Sequence, residues 1–386
     1  MNEKSITTIT LKKINKKSVY QYIYEHRQTA KQQIVQDLTM GLSTVSQNLN
    51  VLEKEGLISR DGFFESTGGR KAQVIQIVPE YRIAVGVGIL KNMFHLAAVN
   101  LYGEAIAEET VAVPFAQSDA YYDGIASSLE SFLDRNGYDR EKILGVSIAT
   151  QGIPAPDGQG IPAPDGESVL YGEILHNTDM KLADFSTRIP YPCRLEHDSK
   201  AAASLELWNH PEIESAVVFL LNRNLGGAVI TNHKVHQGLS MHSGTLEHIC
   251  IDPEGPECYC GQKGCLETYC SANALEAAAQ MPVKEFFPAL RAGNDARLTE
   301  IWDAYLSHLA YAMKTANLLL DGAVIVSGYL APYFKEEDCR TLLEKVDAAS
   351  PFPLVREQLL VGTHGQYTPA IGAALLFIEE FLQSEF

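Results

Sequence analysis

Three of the seven cysteines, Cys258, Cys260 and Cys265, lie within eight residues, and His248 precedes them by ten. Glycines between the cysteines permit a tight turn that brings the thiolates together. Three sulfurs and one imidazole complete the tetrahedral ligand set of structural Zn²⁺, which leaves no position for an activated water. The alternatives are a redox pair or a chance cluster, although Cys-x-Cys is tighter than the spacing of thiol oxidoreductases. We therefore predict a structural zinc knuckle held by His248, Cys258, Cys260 and Cys265.

The net charge of the chain is divided between a short basic head and a long acidic body. Residues 1–75 carry 11 Lys and Arg against 7 Asp and Glu, a net of +4, whereas the other residues carry 20 against 41, a net of −21. Local positive charge favours binding to a polyanion through counterion release, so the head is predicted to contact DNA. We expect a cytoplasmic protein without membrane insertion, because the sequence shows neither a signal peptide nor a long apolar stretch.

The head has the pattern of three short helices followed by an extended segment. Apolar residues at helical spacing predict helices over residues 17–27, 30–38 and 44–56, with Thr29 and Ser43 as N-caps and Gly56 at the last C-terminus. A glycine turn is expected between the second and third helices, and residues 57–64 follow as an extended segment. This order is typical of a winged helix-turn-helix, whose third helix lies in the major groove.

The third helix directs short amide and hydroxyl side chains away from its apolar stripe. Such groups suit base edges and phosphates, although any amphipathic helix has a polar face. Basic residues in the segment and linker that follow could contact DNA or be solvated. The predicted DNA-binding residues are Ser43, Thr44, Ser46, Gln47, Asn50, Arg60, Arg70 and Lys71. Since one winged module reads half a site, we expect a homodimer or a dimer of dimers.

Beyond Tyr81, short apolar strands alternate with helices in two rounds. The predicted elements are strands within 82–90, 93–101, 109–115 and 143–149 with a helix over 123–137, then strands within 216–222, 227–232 and 322–330 with a helix over 369–382. Two similar α/β lobes would place a cleft between them. A tandem repeat, GIPAPDGQ and GIPAPDGE over residues 152–167, is predicted to form a loop because of its prolines and glycines.

The motif C-x-C-G-x-x-G-C-x-E, the segments GLSTVS and GGR, and the terminal A-x-G-A-A resemble the ROK family (repressors, open reading frames, kinases) over roughly residues 15–386. The likeness is greatest to its NagC/Mlc/XylR-type transcriptional repressors. It implies an N-terminal winged helix-turn-helix followed by a two-lobed α/β fold of the sugar-kinase/actin-like ATPase type. On this basis residues 1–75 are the DNA-binding domain and linker, 76–196 the first lobe, and 197–386 the second lobe with the zinc motif. The C-terminal helix is expected to pack back on the first lobe.

Kinases of this family hold ATP with two glycine-rich loops, D-x-G-G-T and G-T-G-x-G-G-G. Here Gly88 stands where the Asp would hold Mg²⁺, Leu90 stands where a glycine is required, and residues 222–228 read N-R-N-L-G-G-A. Both windows lack groups on which phosphoryl transfer depends. We therefore expect the chain not to be an enzyme.

The resemblance also implies a sugar site. Family members bind sugar hydroxyls through an Asn-Asp pair, through the Glu and His of G-E-x-G-H, and through the Glu that closes the zinc motif. The corresponding residues here are His197 and Asp198, Thr245 and His248, and Glu267. For any single carboxylate, a surface position or a structural ion pair is the alternative. The exchanges at His197 and Thr245 indicate a different sugar or a degenerate pocket.

The function implied is that of a sugar-responsive transcriptional regulator, a repressor of genes for carbohydrate uptake or metabolism. Its partners would be an operator in double-stranded DNA and a sugar or sugar phosphate effector. Two alternatives stay open at this point. One is a ROK sugar kinase with a DNA-binding head, and the other is a repressor with a vestigial sugar pocket that a protein partner controls.

Overall fold

The computed structural model describes residues 8–65, 71–154, 168–239 and 241–385. Its α-helices are α1 (Thr8–His26), α2 (Lys31–Asp37), α3 (Leu42–Lys54), α4 (Asp119–Arg135), α5 (Leu182–Ser186), α6 (Asp198–Asn209), α7 (Glu267–Cys270), α8 (Ala272–Ala279), α9 (Val283–Ala292), α10 (Ala296–Leu319), α11 (Glu336–Ala349) and α12 (Thr368–Glu385). Within these described ranges, no helix has the length and apolar character that crossing a membrane requires.

The strands are β1 (Ile58–Ser59), β2 (Gln76–Ile77), β3 (Ile83–Ile89), β4 (Phe94–Val99), β5 (Ala105–Val111), β6 (Ile143–Thr150), β7 (Ile153–Pro154), β8 (Ser168–Gly172), β9 (Asn177–Lys181), β10 (Cys193–His197), β11 (Ala216–Leu220), β12 (Gly226–Thr231), β13 (Lys234–Val235), β14 (Ala323–Ser327) and β15 (Leu359–Val361). The chain forms two compact units. Residues up to Ile83, with Asn100–Glu104 and the chain from Phe377, make the first, and the remaining residues make the second.

The first unit contains α1, α2 and α3, with β1 paired antiparallel to β2. On α3, Val45, Leu49 and Leu52 are fully buried, and their spacing places them on one face of the helix. Most exposed side chains of α3 are polar, although Leu42 and Val51 are exposed as well. The three helices and the extended segment that contains β1 are elements that the sequence predicted for the head, whereas its partner strand β2 was not predicted.

The helix starts in this unit differ from the prediction. Helix α1 begins at Thr8, ahead of the predicted start, and the N-caps of α2 and α3 are Ala30 and Gly41. Thr29 is not a cap because its backbone N–H and C=O both pair with Ile75, at 2.9 and 2.8 Å, which makes it part of a β-bridge. Ser43 is not a cap because it lies within the first turn of α3. The left-handed residue between α2 and α3 is Thr39, with φ of 50°, and not a glycine.

The second unit contains two five-stranded sheets with the same topology. The strand orders are β10-β6-β3-β4-β5 in the first sheet and, read from the equivalent end, β15-β14-β11-β12-β13 in the second. Each sheet begins with a three-stranded antiparallel meander, and each ends in a parallel pair, β6 with β10 and β14 with β15. This identity confirms the predicted repetition of the α/β pattern.

Helices α6 and α12 lie close to the strands. Ala203 of α6 packs in the core of the second sheet, and Ala201 packs with Ala149 of β6 and Ala373 of α12. A side chain at Gly86 of β3 would collide with the backbone of Ala370 on α12. Small residues therefore allow these helices and strands to approach one another closely.

A separate three-stranded antiparallel sheet, β7-β8-β9, follows β6. Its first strand, Ile153–Pro154, belongs to the tandem repeat for which a loop was predicted, so that prediction is wrong at these two residues. Tyr171 of β8 supplies the strand partner of Ile153, which the sequence pattern around the prolines did not indicate. Residues 155–167 of the repeat lie outside the described residues.

Candidate functional site

The four predicted zinc ligands are brought together. His248 Nδ1 lies 3.8 Å from Cys258 Sγ, Cys260 Sγ lies 3.7 Å from Cys265 Sγ, and the four ligand atoms lie within 4.8 Å of one another. Two sulfurs bound to one tetrahedral Zn²⁺ at about 2.3 Å would be separated by about 3.8 Å. The spacing of this cluster therefore fits a tetrahedral ion.

Glycine geometry explains the tight loop around the cluster. Gly261 and Gly264 have φ of 80° and 68°, in the left-handed region. A side chain at Gly264 would also collide with the carbonyl of Asp252. Backbone hydrogen bonds close the loop, including one of 2.7 Å from Cys258 N–H to the carbonyl of Gln262. The order of cysteines and glycines thus determines where the sulfurs meet.

Burial raises the pKa of the Cys258 thiol and raises the pKa of the Cys265 thiol to about 12. Zn²⁺ binds thiolates, so its binding would release these protons. All four ligand positions of a tetrahedral ion would be filled by side chains. The arrangement can hold the shape of a loop and has no position for a reacting water.

A cavity of about 450 Å³ lies beside the metal-ligand cluster. His197 and Asp198 reach it from the junction of β10 and α6, and Thr245 and His248 reach it from the segment before the knuckle. The structure thus gathers four of the five predicted sugar ligands around one cavity. The fifth, Glu267, is not among the residues that line it.

Glu267 is only 6% exposed, and both of its carboxylate oxygens accept hydrogen bonds from the turn that follows β11. Its Oε1 accepts from Asn224 Nδ2 at 2.8 Å, and its Oε2 accepts from the Leu225 backbone N–H at 2.6 Å. Burial raises the pKa of this carboxyl to about 7. Glu267 therefore fixes the turn, and Leu225 of that turn lines the cavity.

Sequence reasoning missed Glu247, which lines the same cavity. Its Oε2 is buried and has no hydrogen-bond partner among the described residues, and burial raises the pKa of the carboxyl to about 8. Oε1 lies 3.9 Å from His248 Nε2, the imidazole nitrogen away from the cysteines. The sequence does carry a signal for it, because a glutamate stands two positions after Thr245, where the motif G-E-x-G-H would have its glutamate. Thr245, at the expected position, is exposed and donates from Oγ1 to the carbonyl of His242 at 3.2 Å.

Lys200 of α6 was also missed. It is 3% exposed, and its Nζ donates to the backbone carbonyls of His236, at 3.1 Å, and Ser243. Burial lowers the pKa of its ammonium group to about 8. The ammonium therefore ties α6 to the segment that carries Thr245. No sequence pattern indicated this contact, because the burial of a lysine cannot be read from the residues alone.

His197 is the N-cap of α6, and its Nδ1 accepts from the Ser199 backbone N–H at 3.3 Å. Burial lowers the pKa of this imidazole, which favours the neutral ring. Because Nδ1 accepts a hydrogen bond, the proton of the neutral ring lies on Nε2. Asp198 Oδ1 accepts from the same N–H at 2.6 Å and from Ser199 Oγ at 3.1 Å. The α6 start therefore holds one imidazole and one carboxylate in fixed positions at the cavity.

The predicted DNA-binding residues of α3 lie on its polar face. Ser43, Gln47 and Asn50 are exposed, whereas Thr44 and Ser46 are half-buried. Asn50 Oδ1 accepts from Arg60 Nη2 at 2.8 Å, and the same nitrogen lies 3.3 Å from Glu53 Oε2, so this arginine is held against the helix. Lys71 is exposed, and Arg70 lies outside the described residues.

Comparison with known proteins gives related repressors and kinases. The DNA-binding transcriptional dual regulator NagC of Escherichia coli K12 is 23% identical over 391 residues, 95% of this chain and 92% of that one. The crystal structure of a ROK family transcriptional regulator, a homolog of the E. coli MLC protein, has a TM-score of 0.69 over 97% of this chain and 98% of that chain, at 18% identity.

The body also has the fold of a sugar kinase. A ROK family glucokinase from Streptomyces griseus, solved in complex with glucose and AMPPNP, has a TM-score of 0.63 and covers 76% of this chain and 98% of its own, at 19% identity. The model of the ROK family matches residues 82–380. With the duplicated sheets described above, this match shows that the chain belongs to the ROK family.

Proposed function

We propose that this protein is a sugar-responsive, DNA-binding transcriptional repressor that controls genes of carbohydrate uptake or metabolism and catalyses no reaction. The observation that carries the proposal is a three-helix unit with a hairpin in the same chain as a ROK body that keeps a polar cavity. Gly88 and Leu90 depart from the glycine-rich pattern that the resemblance assigns to the kinases. The relationship to NagC, a DNA-binding regulator by name, supports this combination.

For DNA binding, we propose that the first unit acts as a winged helix-turn-helix with α3 in the major groove. The exposed side chains of Ser43, Gln47 and Asn50 offer hydroxyl and amide groups to base edges and phosphates. Arg60 and Lys71 belong to the hairpin region, where they would approach the backbone of the duplex. Half-site recognition by each module calls for a homodimer on an operator of double-stranded DNA.

For effector binding, we propose that a sugar occupies the cavity of about 450 Å³. Asp198 and Glu247 supply acceptors and His197 supplies an Nε2 donor, and a polyhydroxylated ligand needs such partners because each buried hydroxyl left unpaired costs about 1–3 kcal/mol. The cluster of His248 with the three cysteines would hold a structural Zn²⁺ beside this cavity. The ion would fix the loop, since its ligand set is closed.

Kinase activity is the alternative, and the residues oppose it. Asp198 stands where the resemblance places the catalytic base, but Gly88 replaces the carboxylate that would hold Mg²⁺. The turn between β3 and β4 carries Leu90 and Lys91 instead of glycines, so the backbone is not free to surround phosphates. A sugar can therefore bind without being phosphorylated.

The test is an operator-binding titration with a panel of sugars and sugar phosphates, measured by fluorescence anisotropy. Asp198→Asn should keep the DNA affinity and lose the response to the effector, whereas Gln47→Ala should weaken DNA binding by about 1–3 kcal/mol, the value of a base contact. Loss of DNA binding in a folded Asp198→Asn variant would contradict the proposal. An operator affinity that no sugar alters in the wild type would favour control by a protein partner.

A further inference from the structure

Cys250 is a thiol that stands beside the metal-ligand cluster and is not one of its members. All seven cysteines lie within the described ranges, and two of them, Cys250 and Cys260, are exposed. Cys260 belongs to the cluster, and Cys250 does not. The Sγ of Cys250 donates a hydrogen bond of 3.7 Å to the carbonyl of Lys263. Cys250 is therefore the exposed thiol that an oxidant reaches outside the ligand set.

The backbone places Cys250 directly opposite Cys265 in an antiparallel bridge. Two backbone hydrogen bonds flank this pair, one of 2.7 Å from Ile251 to Gly264 and one of 2.8 Å from Leu266 to Ile249. In such a non-hydrogen-bonded pair the two Cα atoms are about 4.5 Å apart, and the side chains leave the strands on the same face. Disulfides span Cα separations of about 4.4–6.8 Å. A disulfide can therefore join the two cysteines while both strands stay in place.

A disulfide at this position would compete with metal binding for Cys265. This cysteine is 1% exposed, and its Sγ lies 3.7 Å from Cys260 Sγ within the cluster. A bond to Cys250 requires rotation about the Cα–Cβ bonds and takes the sulfur of Cys265 out of the ligand set, because only a thiolate binds the metal. His248, Cys258 and Cys260 would then leave one position of a tetrahedral ion open.

We propose that Cys250 is a redox-sensing thiol that, on reaction with a hydroperoxide, forms a disulfide with Cys265 and so releases the metal ion from the cluster. The Cys250 sulfur first attacks the peroxide. An S–O bond forms and the O–O bond breaks, so the sulfur is oxidised to a sulfenic acid and the peroxide is reduced, and the thiol proton leaves in water. The Cys265 thiolate then attacks the Cys250 sulfur, which forms the S–S bond, breaks the S–O bond and expels hydroxide.

His248 links this reaction to the cavity, because it is both a member of the metal-ligand cluster and part of the cavity lining. Loss of the ion would remove the constraint on that imidazole. An oxidised repressor should therefore respond less to its effector, and this consequence rests on the proposed function. Metal release and disulfide formation can be measured whether or not a sugar binds.

The experiment treats the reduced, zinc-loaded full chain with hydrogen peroxide and follows zinc release by the absorbance of the chelator pyridylazoresorcinol. We expect one disulfide for each zinc released, and dithiothreitol with added zinc should restore the cluster. Cys250→Ser should keep its zinc when reduced and should release it about tenfold or more slowly under peroxide. Cys193→Ser, which removes a half-buried thiol from β10, should release zinc at the wild-type rate.

Mass spectrometry identifies the disulfide after the free thiols are alkylated. Cleavage by trypsin together with a glutamate-specific protease separates the cysteines, with Cys250 on residues 248–254, Cys258 and Cys260 on residues 258–263, and Cys265 on residues 264–267. We expect the first of these peptides to be joined to the third.

Four results would overturn the inference. Equal rates of zinc release from the wild type and Cys250→Ser would exclude Cys250 as the sensor. A main product that joins residues 258–263 to residues 264–267 would place the oxidation within the metal-ligand cluster. Loss of zinc from reduced Cys250→Ser would make this cysteine a ligand. A reduced wild type without zinc would leave no ion to release, and the operator titration would still decide the proposed function separately.

Discussion

Replacement of Glu267 by Gln tests whether this carboxylate contacts the ligand or positions the turn between β11 and β12. The carboxylate accepts from Asn224 Nδ2 and from the Leu225 N–H, at 2.8 and 2.6 Å, and is 6% exposed. Glutamine offers one carbonyl oxygen, so its amide group would face one of these two donors. A buried donor left without its charged acceptor costs about 1–3 kcal/mol, and we expect the free energy of unfolding to fall by about 2 kcal/mol.

Urea unfolding followed by circular dichroism measures this loss, and calorimetry with the best-binding sugar measures the affinity. Glu285→Gln is the matched control, because Glu285 is exposed on α9 and its replacement should alter stability by less than about 0.5 kcal/mol. If Glu267→Gln keeps the wild-type stability and zinc content but loses tenfold or more in sugar affinity, the carboxylate binds the sugar directly and the turn-positioning role is wrong.

Two further predictions concern the metal cluster and acid stability. Purified protein should contain one zinc per chain by elemental analysis. Cys260→Ser should lose the metal together with the effector response. Less than half an equivalent of zinc in the wild type would refute the site. Burial lowers the pKa of His95 from 6.5 to about 4. As the pH falls, the unfolded chain therefore protonates this imidazole before the folded chain does. The free energy of unfolding should decrease by up to about 3 kcal/mol between pH 6.5 and 4. His95→Gln should reduce that dependence, and an unchanged slope would exclude the residue as its source.

The fold could be predicted because its signals are local. Apolar residues at helical spacing identified α3 and α4, and short apolar runs identified β3, β4, β11 and β12. The third strand of the first meander was predicted at residues 109–115 but lies at Ala105–Val111, and β13 was not predicted. The N-caps were misplaced because Thr29 and Ser43 are good capping residues by type, whereas the backbone pairing of Thr29 with Ile75 is a non-local contact. Such pairing cannot be read from the residues beside the helix.

The grouping of His248 with Cys258, Cys260 and Cys265 could be predicted for the same reason, since the three cysteines lie close together in the sequence. The cavity was harder to predict, because the side chains that line it come from separate segments of the chain. Glu247 was missed since a motif assigns residues by position, and the carboxylate here stands two positions later. Glu267 was predicted as a sugar ligand from the resemblance, which assigns a residue by its position and does not show its partners. In the structure both of its carboxylate oxygens accept hydrogen bonds from one turn.

The duplicated topology explains why two turns far apart in the sequence line one small cavity. Each connects the first and second strands of its own meander, β3 to β4 in one sheet and β11 to β12 in the other. Lys91 and Arg223 therefore occupy related places in the two halves, although their neighbouring sequences differ. The first turn carries Leu90 and Lys91 where the kinase pattern has glycines, whereas Gly226 and Gly227 remain at the start of β12, so the two halves have diverged to different extents at the same place in the fold.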